Sequence, residues 1–206
     1  MRYRTFNAFV VSAALVFLAP LLLTACGDTS KPRPEFLSTD ISDVNFGEDF
    51  RLTDHNGNVR TLSDFKGKVV VLFFGYTHCP DVCPATMSNL ATAMDKLGPD
   101  AARVQVLFVT VDPERDTPPV LQQYLSAFNP TFLGLSGSAQ ATKAVTKEFK
   151  IVAQKQPGEA AGHHTVDHST GTYIFDTNGK LRLYVTSDKD ADVFAHDISE
   201  LLKTSA

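Results

Sequence analysis

The chain has 206 residues, 43% of them apolar and 20% charged, with a formal net charge of −4 and only three cysteines. That length and apolar content suffice for one domain with its own core. Mild acidity without a basic stripe argues against a nucleic-acid partner, and three cysteines are too few for a secreted scaffold held together by disulfides.

The first residues read as an export signal. Arg2 and Arg4 precede an uncharged apolar run, "AFVVSAALVFLAPLLLTA", which ends directly before Cys26. Leu23-Thr24-Ala25-Cys26 resembles a bacterial lipobox, which implies cleavage before Cys26 and lipidation of its thiol. The alternative is an uncleaved transmembrane anchor, because the run is near the minimum of about 17 residues for spanning. Pro20 and the cysteine placed straight after "LTA" favour the lipobox. Either reading puts the remainder outside the cytoplasm: in the bacterial cell envelope, attached to a lipid bilayer and facing the periplasm or the extracellular side. The expected organisation is a signal peptide over 1–25, a flexible tether over 26–45 and a folded domain over 46–206. The tether is polar, carries Pro32 and Pro34, and spans on the order of 25 Å.

Within the domain, Phe50 to Leu62 shows two short runs around Asn56-Gly57, a hairpin signal. Lys68 to Tyr76 is apolar on both parities, as a buried central parallel strand requires. Met87, Leu90, Met94 and Leu97 then follow at helical spacing until Gly98-Pro99. Arg103 to Asp112 reads as a second buried strand. Thr117 and Pro118 are the N-cap and first position of another helix. "TFLGLSG" is a short strand, Ser138 to Lys150 a helix, and "IVAQ" a brief strand. Thr172 to Val185 forms a hairpin around Asn178-Gly179. Asp190 to Lys203 closes as an amphipathic helix with Val193, Phe194, Ile198, Leu201 and Leu202 on one side. This order predicts a thioredoxin-like α/β fold: a central mixed sheet flanked by helices, with an N-terminal hairpin and a C-terminal helix. Function in such sheets lies at the carboxyl ends of the parallel strands. Cys79 and Cys83 follow one such end, and Asp112 stands at another.

The cysteines are spaced C-x-x-x-C. Pro84 predicts that the helix starts near itself, with Cys83 as its cap. Both sulfurs then sit at a helix N-terminus, where the dipole favours thiolate. A thiolate is a nucleophile in disulfide exchange and a ligand for soft metals, so two functions stay open. A structural bridge is the bland alternative, though a short loop gains little from one. A metal site needs a third ligand. His55 and His196 read as surface residues, and His78 points away from its neighbour Cys79. His163, His164 and His168 lie together before the strand at Thr172. Thioredoxin-like enzymes carry a cis-proline facing the cysteines there, whereas this chain has Gly171. The missing proline and the nearby imidazole favour a metal carrier. Met87 and Met94, at helical spacing with leucines, are core residues. Asp81 either caps the turn or contacts a partner.

"YTHCPDVCP", "VTVDPERDTP" and "TVDHS" resemble the three motifs of the Sco/SenC family of thioredoxin-like copper proteins, and the resemblance runs from Phe46 to Leu202. It implies one copper ion, Cu(I) or Cu(II), bound by Cys79, Cys83 and His168. It also implies delivery of that ion to the Cu-A centre of cytochrome c oxidase. The partner is then oxidase subunit II or another periplasmic copper chaperone, met by a monomer. The alternative is a thiol–disulfide oxidoreductase in which Cys79 and Cys83 are the redox-active pair that reduces the Cu-A cysteines or other periplasmic thiols. A sensor that changes partner is a third reading, and zinc suits the same ligands. The acidic "DPERD" loop is expected to shape the electrostatics of the site. His164 stands where many members carry an aromatic residue, and with His163 it offers a second weak metal site.

Overall fold

The computed structural model describes residues 34–157 and 164–204. In chain order they form β1 (Thr39–Asp40), β2 (Leu52–Asp54), β3 (Val59–Arg60), β4 (Val69–Gly75), α1 (Val82–Leu97), β5 (Val104–Thr110), α2 (Pro118–Ser126), β6 (Leu133–Ser136), α3 (Ala139–Glu148), β7 (Ala153–Pro157), β8 (His164–His168), β9 (Thr172–Phe175), β10 (Leu181–Val185) and α4 (Ala191–Thr204). Eight strands make one mixed sheet in the order β1-β10-β9-β4-β5-β6-β2-β3. β4, β5 and β6 run parallel at its centre, and β9 pairs antiparallel with β4.

The sheet is central because its middle strands are apolar on both faces. Every residue of β4 is buried. Val69, Val71 and Phe73 pack with Met87, Leu90 and Met94 of α1, Leu121 and Leu125 of α2, and Phe194 and Ile198 of α4. Val70, Leu72 and Phe74 pack the other way, with Val145 of α3, Phe149, Tyr173 and Phe175. Helices therefore cover both faces, the thioredoxin-like arrangement that strand–helix alternation predicts. The Asn56-Gly57 and Asn178-Gly179 turns both form, each with its glycine at positive φ (+87° and +79°), where a side chain is strained.

Four details depart from the sequence reading. First, α1 begins at Val82, two residues before the expected start. Pro84 sits in the first turn, where amides lack intrahelical partners anyway, so its missing N–H costs nothing. Cys83 is thus inside the helix and not its cap. Second, β8 forms where no strand was expected, and it pairs with β7 as a ribbon apart from the main sheet. β7 itself starts at Ala153, so "IVAQ" only overlaps its beginning. Third, a 3-10 turn over Gly98–Arg103 follows α1.

The fourth departure is at the N-terminal side. Ordered pairing begins inside the stretch read as tether, because β1 adds to β10 at one sheet edge. Asp197 of α4, fully buried, explains it: its carboxylate accepts the Leu37 and Ser38 amides at 2.8 and 2.9 Å and the His196 Nδ1–H at 2.9 Å. His196 is exposed, as expected, and its ring also lends one bond to this clamp. The signal peptide, Cys26 and His163 lie outside the described residues.

Asp197→Ala is expected to leave two amides without their charged acceptor and to lower unfolding stability by about 2–3 kcal/mol. Denaturant unfolding checks the size. Hydrogen exchange should show protection lost first at Leu37 and Ser38, with Asp197→Asn intermediate.

Candidate metal centre

The site is built at the carboxyl end of β4. Gly75, its last residue, is a glycine for steric reasons. A Cβ there would stand 2.7 Å from the Phe73 ring, 2.9 Å from the Cys83 sulfur and 3.0 Å from the Phe108 ring. Beyond Gly75 the chain is pinned by Asp116, a carboxylate only 1% exposed. It accepts the Thr77 amide at 3.1 Å, the Thr77 hydroxyl at 2.6 Å and the Thr110 hydroxyl at 2.6 Å. One buried charge thus ties the cysteine loop to the end of β5. The Cys79 amide then bonds the Tyr76 carbonyl at 3.2 Å.

The two sulfurs differ in environment. Cys83 is fully buried among the α1 core residues, while Cys79 is half-buried at the surface. Burial pushes the Cys83 thiol far above the ordinary cysteine range, so desolvation outweighs the expected stabilisation by the helix dipole. Both cysteines are free thiols.

His168 reaches the pair from the end of β8. Its Nδ1–H donates to the Ser169 carbonyl at 2.8 Å, which leaves the Nε2 lone pair directed 3.6 Å from the Cys83 sulfur. Phe73 and Tyr76 flank the ring edge-to-face at 6.3 and 5.8 Å. Burial lowers the His168 pKa, which favours the neutral imidazole that a metal requires. The ligand atoms of Cys79, Cys83 and His168 all lie within 4.8 Å of one another. An ion bonded to sulfur at about 2.3 Å and to imidazole at about 2.0 Å would hold sulfur and nitrogen roughly 3.5–3.7 Å apart. The Cys83–His168 separation meets this without rearrangement. The carbonyl that orients His168 is the outer support expected of a ligating imidazole.

The remaining candidates separate clearly. His164 is turned to Asp112, with Nε2 3.0 Å from Oδ2, and is not among the three ligand atoms. Asp112, fully buried, also accepts Arg115 Nε at 2.5 Å. His55 is structural: its Nδ1 accepts the Gly134 amide at 3.1 Å, and burial lowers its pKa. His78 is exposed and leans on the Thr77 hydroxyl at 3.1 Å, away from the sulfurs. Met87 and Met94 are in the core. Asp81 is exposed at the N-cap position of α1, yet its side chain makes no capping bond. Thr77 and Ser169 lie inside the motifs "YTHCPDVCP" and "TVDHS", but only the coordinates reveal their supporting roles.

Residues 38–203 match the family profile described as SCO1/SenC. A SCO2-like protein of Rickettsia felis is 34% identical over 205 residues, covering 98% of both chains. The mitochondrial SCO2 homologue of Danio rerio is 39% identical over 158 residues, or 76% of this chain, and the match spans 57% of that relative's length. Among solved structures, the copper-bound ScoI of Bradyrhizobium japonicum has a TM-score of 0.71 and 37% identity, covering 77% of this chain and all of that one.

The asymmetry of the thiols predicts ordered alkylation. Iodoacetamide should modify Cys79 first in the reduced protein, with Cys83 at least about tenfold slower at pH 7. Because the Cys83 thiol is pushed up, its rate should still be rising between pH 7 and pH 9. Timed peptide mass spectrometry at both pH values checks this; equal rates for the two cysteines would contradict it.

Proposed function

The chain belongs to the SCO1/SenC family, and from that premise we propose that it is a copper chaperone of the cell envelope. It takes one copper ion on Cys79, Cys83 and His168 and passes it to the Cu-A centre of cytochrome c oxidase. The observation that carries the reading is the convergence of two sulfurs and one unprotonated imidazole nitrogen within 4.8 Å. Thiolates suit Cu(I), and the imidazole accommodates Cu(II) as well. The structurally similar ScoI of Bradyrhizobium japonicum holds copper in its solved structure.

Transfer needs an accessible sulfur, and Cys79 is the one of the pair open to solvent. An acceptor thiolate attacks from its side, while Cys83 and His168 stay anchored. The same unpaired sulfurs favour a second state. Closing them into a disulfide releases two protons and two electrons to an oxidant, and it removes both thiolates from the metal. The protein is therefore loaded only when reduced, and the accompanying reading is reduction of a disulfide between the Cu-A cysteines, with Cys79 and Cys83 oxidised to their own disulfide in exchange. Full burial of Cys83 suits a retained ligand better than a general exchanger, whose thiols must meet many substrates. The lipobox reading places this domain on a membrane through Cys26, within reach of a membrane-embedded acceptor.

Copper titration under reducing conditions should give one ion per chain. Cys79→Ser or Cys83→Ser should abolish uptake, and His168→Ala should weaken Cu(II) by roughly tenfold or more while Cu(I) stays bound. Stoichiometric uptake by the double cysteine variant would overturn the reading. Cells lacking the protein should lose oxidase activity most when copper is scarce and regain part of it on copper addition. Rescue by a small thiol reductant, but not by copper, would transfer the role to disulfide reduction. Separately, Cys26→Ser should move the protein from the membrane to the soluble fraction or leave an uncleaved precursor.

A further inference from the structure

β8 is a short bar with three attachment points. Its inward residues alternate: His164 and His168 are half-buried and Val166 is buried, while Thr165 and Asp167 face solvent. Val166 enters the core. His168 meets the Cys83 sulfur at one end. His164, about 13 Å away along the strand at the usual rise, meets the buried Asp112 at the other. Among the described residues β8 pairs only with β7, and an isolated two-stranded ribbon is marginal in water. The position of His168 in space therefore depends on what fastens the ribbon to the domain.

At the distal end the fastening is polar and dense. Asp112 accepts from Arg115 and holds the His164 ring; Arg115 also donates to the His164 carbonyl at 3.0 Å and lies over the Tyr76 ring at 5.8 Å. Lys155 of β7 joins Glu114 at 2.6 Å and stands 3.8 Å from Asp112. Tyr76, in turn, packs against His168. One cluster, rooted at the end of β5, thus grips both strands of the ribbon and the ring beside the metal ligand.

We propose that His164, clasped by Asp112, is a positioning residue for His168: the bond at one end of β8 fixes where the imidazole stands at the other. The inference rests on the reading of Cys79, Cys83 and His168 as the copper site, and it deepens it. The two thiolates come from the cysteine loop and α1, which do not depend on the ribbon. Losing the clasp should therefore spare Cu(I), held by sulfur, and penalise Cu(II), which needs the nitrogen. Outer supports of metal ligands are typically worth about 10–100-fold in affinity.

The test compares full-length wild type with His164→Leu, which keeps bulk without the bond, and His164→Gln, whose amide N–H can donate to Asp112 in place of Nε2–H. Expected for His164→Leu is a Cu(II) affinity about tenfold or more lower, with weakened nitrogen hyperfine coupling in the electron paramagnetic resonance spectrum and Cu(I) affinity within about threefold. His164→Gln should restore both. In the copper-free protein, long-range nitrogen–proton correlations should give His168 a single Nδ1–H tautomer in wild type and Gln, and mixed tautomers in Leu. Should Leu fail to fold, His164→Asn, polar but too short to reach Asp112, replaces it. Unchanged Cu(II) affinity, hyperfine coupling and tautomer would overturn the proposal, as would equal loss of Cu(I) and Cu(II) with a collapsed melting temperature. If wild type takes up no copper, the function proposed above fails. The tautomer comparison then still decides whether His164 positions His168.

Discussion

The Asp116 carboxylate is the constraint on which the rest of the site depends. It is buried without a cationic partner at hydrogen-bond distance among the described residues, and three short bonds from Thr77 and Thr110 supply the charge stabilisation that water would otherwise give. Such a group tolerates little displacement, because a bond lost in a water-poor environment is not replaced. It therefore fixes the separation between the ends of β4 and β5. The cysteine loop leaves from the first and the Asp112 cluster from the second, so both arms of the site refer to one anchor.

Burial then sorts the groups the anchor has placed. Cys83 sits in the apolar interior beside Phe73 and Met87, and its proton is hard to remove unless a cation compensates. His168 is shielded by aromatic edges and stays neutral. Of the two sulfurs, only that of Cys79 keeps contact with solvent. The same desolvation makes a free thiolate at Cys83 costly and makes a cation bonded there favourable. A nucleophile serving many substrates and a retained metal ligand need opposite treatments of that sulfur, and this environment gives the second.

The parts legible in the sequence are those set by local rules. β4 and β5 are apolar runs that no other strand could match, the Asn-Gly turns announce their hairpins, and Thr117-Pro118 marks the start of α2. The ligand spacing was legible too, since Cys79, Cys83 and His168 come together in space as their motifs suggest. What escaped was set by distant partners. β8 has one fully buried residue in five, so its alternation is weak and its pairing with β7 is the only sign that it is a strand. The N-terminal edge looks like linker because Asp197, some 160 residues on, is what holds it. His55 looks like a turn residue until the Gly134 amide is seen to donate to it. α1 starts ahead of Pro84 for a local reason: a proline within the first turn breaks no bond that the helix would have made.

Gly171 stands where thioredoxin-like enzymes carry a cis-proline. No cis peptide occurs among the described residues. A Cβ at position 171 would fall 2.1–2.2 Å from atoms of the Tyr184 ring, well inside contact distance. That ring belongs to β10 and packs on Tyr173 at 5.3 Å between centroids, so the hairpin brings an aromatic side chain into the space that a proline at 171 would need. A side chain at 171 would therefore have to displace the half-buried Tyr184 ring. With Cys83 enclosed and His168 held by β8, the solvent-facing sulfur of the site is that of Cys79. Under the chaperone role proposed above, an acceptor approaching from that side would meet one sulfur at a time, which suits stepwise handover of an ion through shared thiolates.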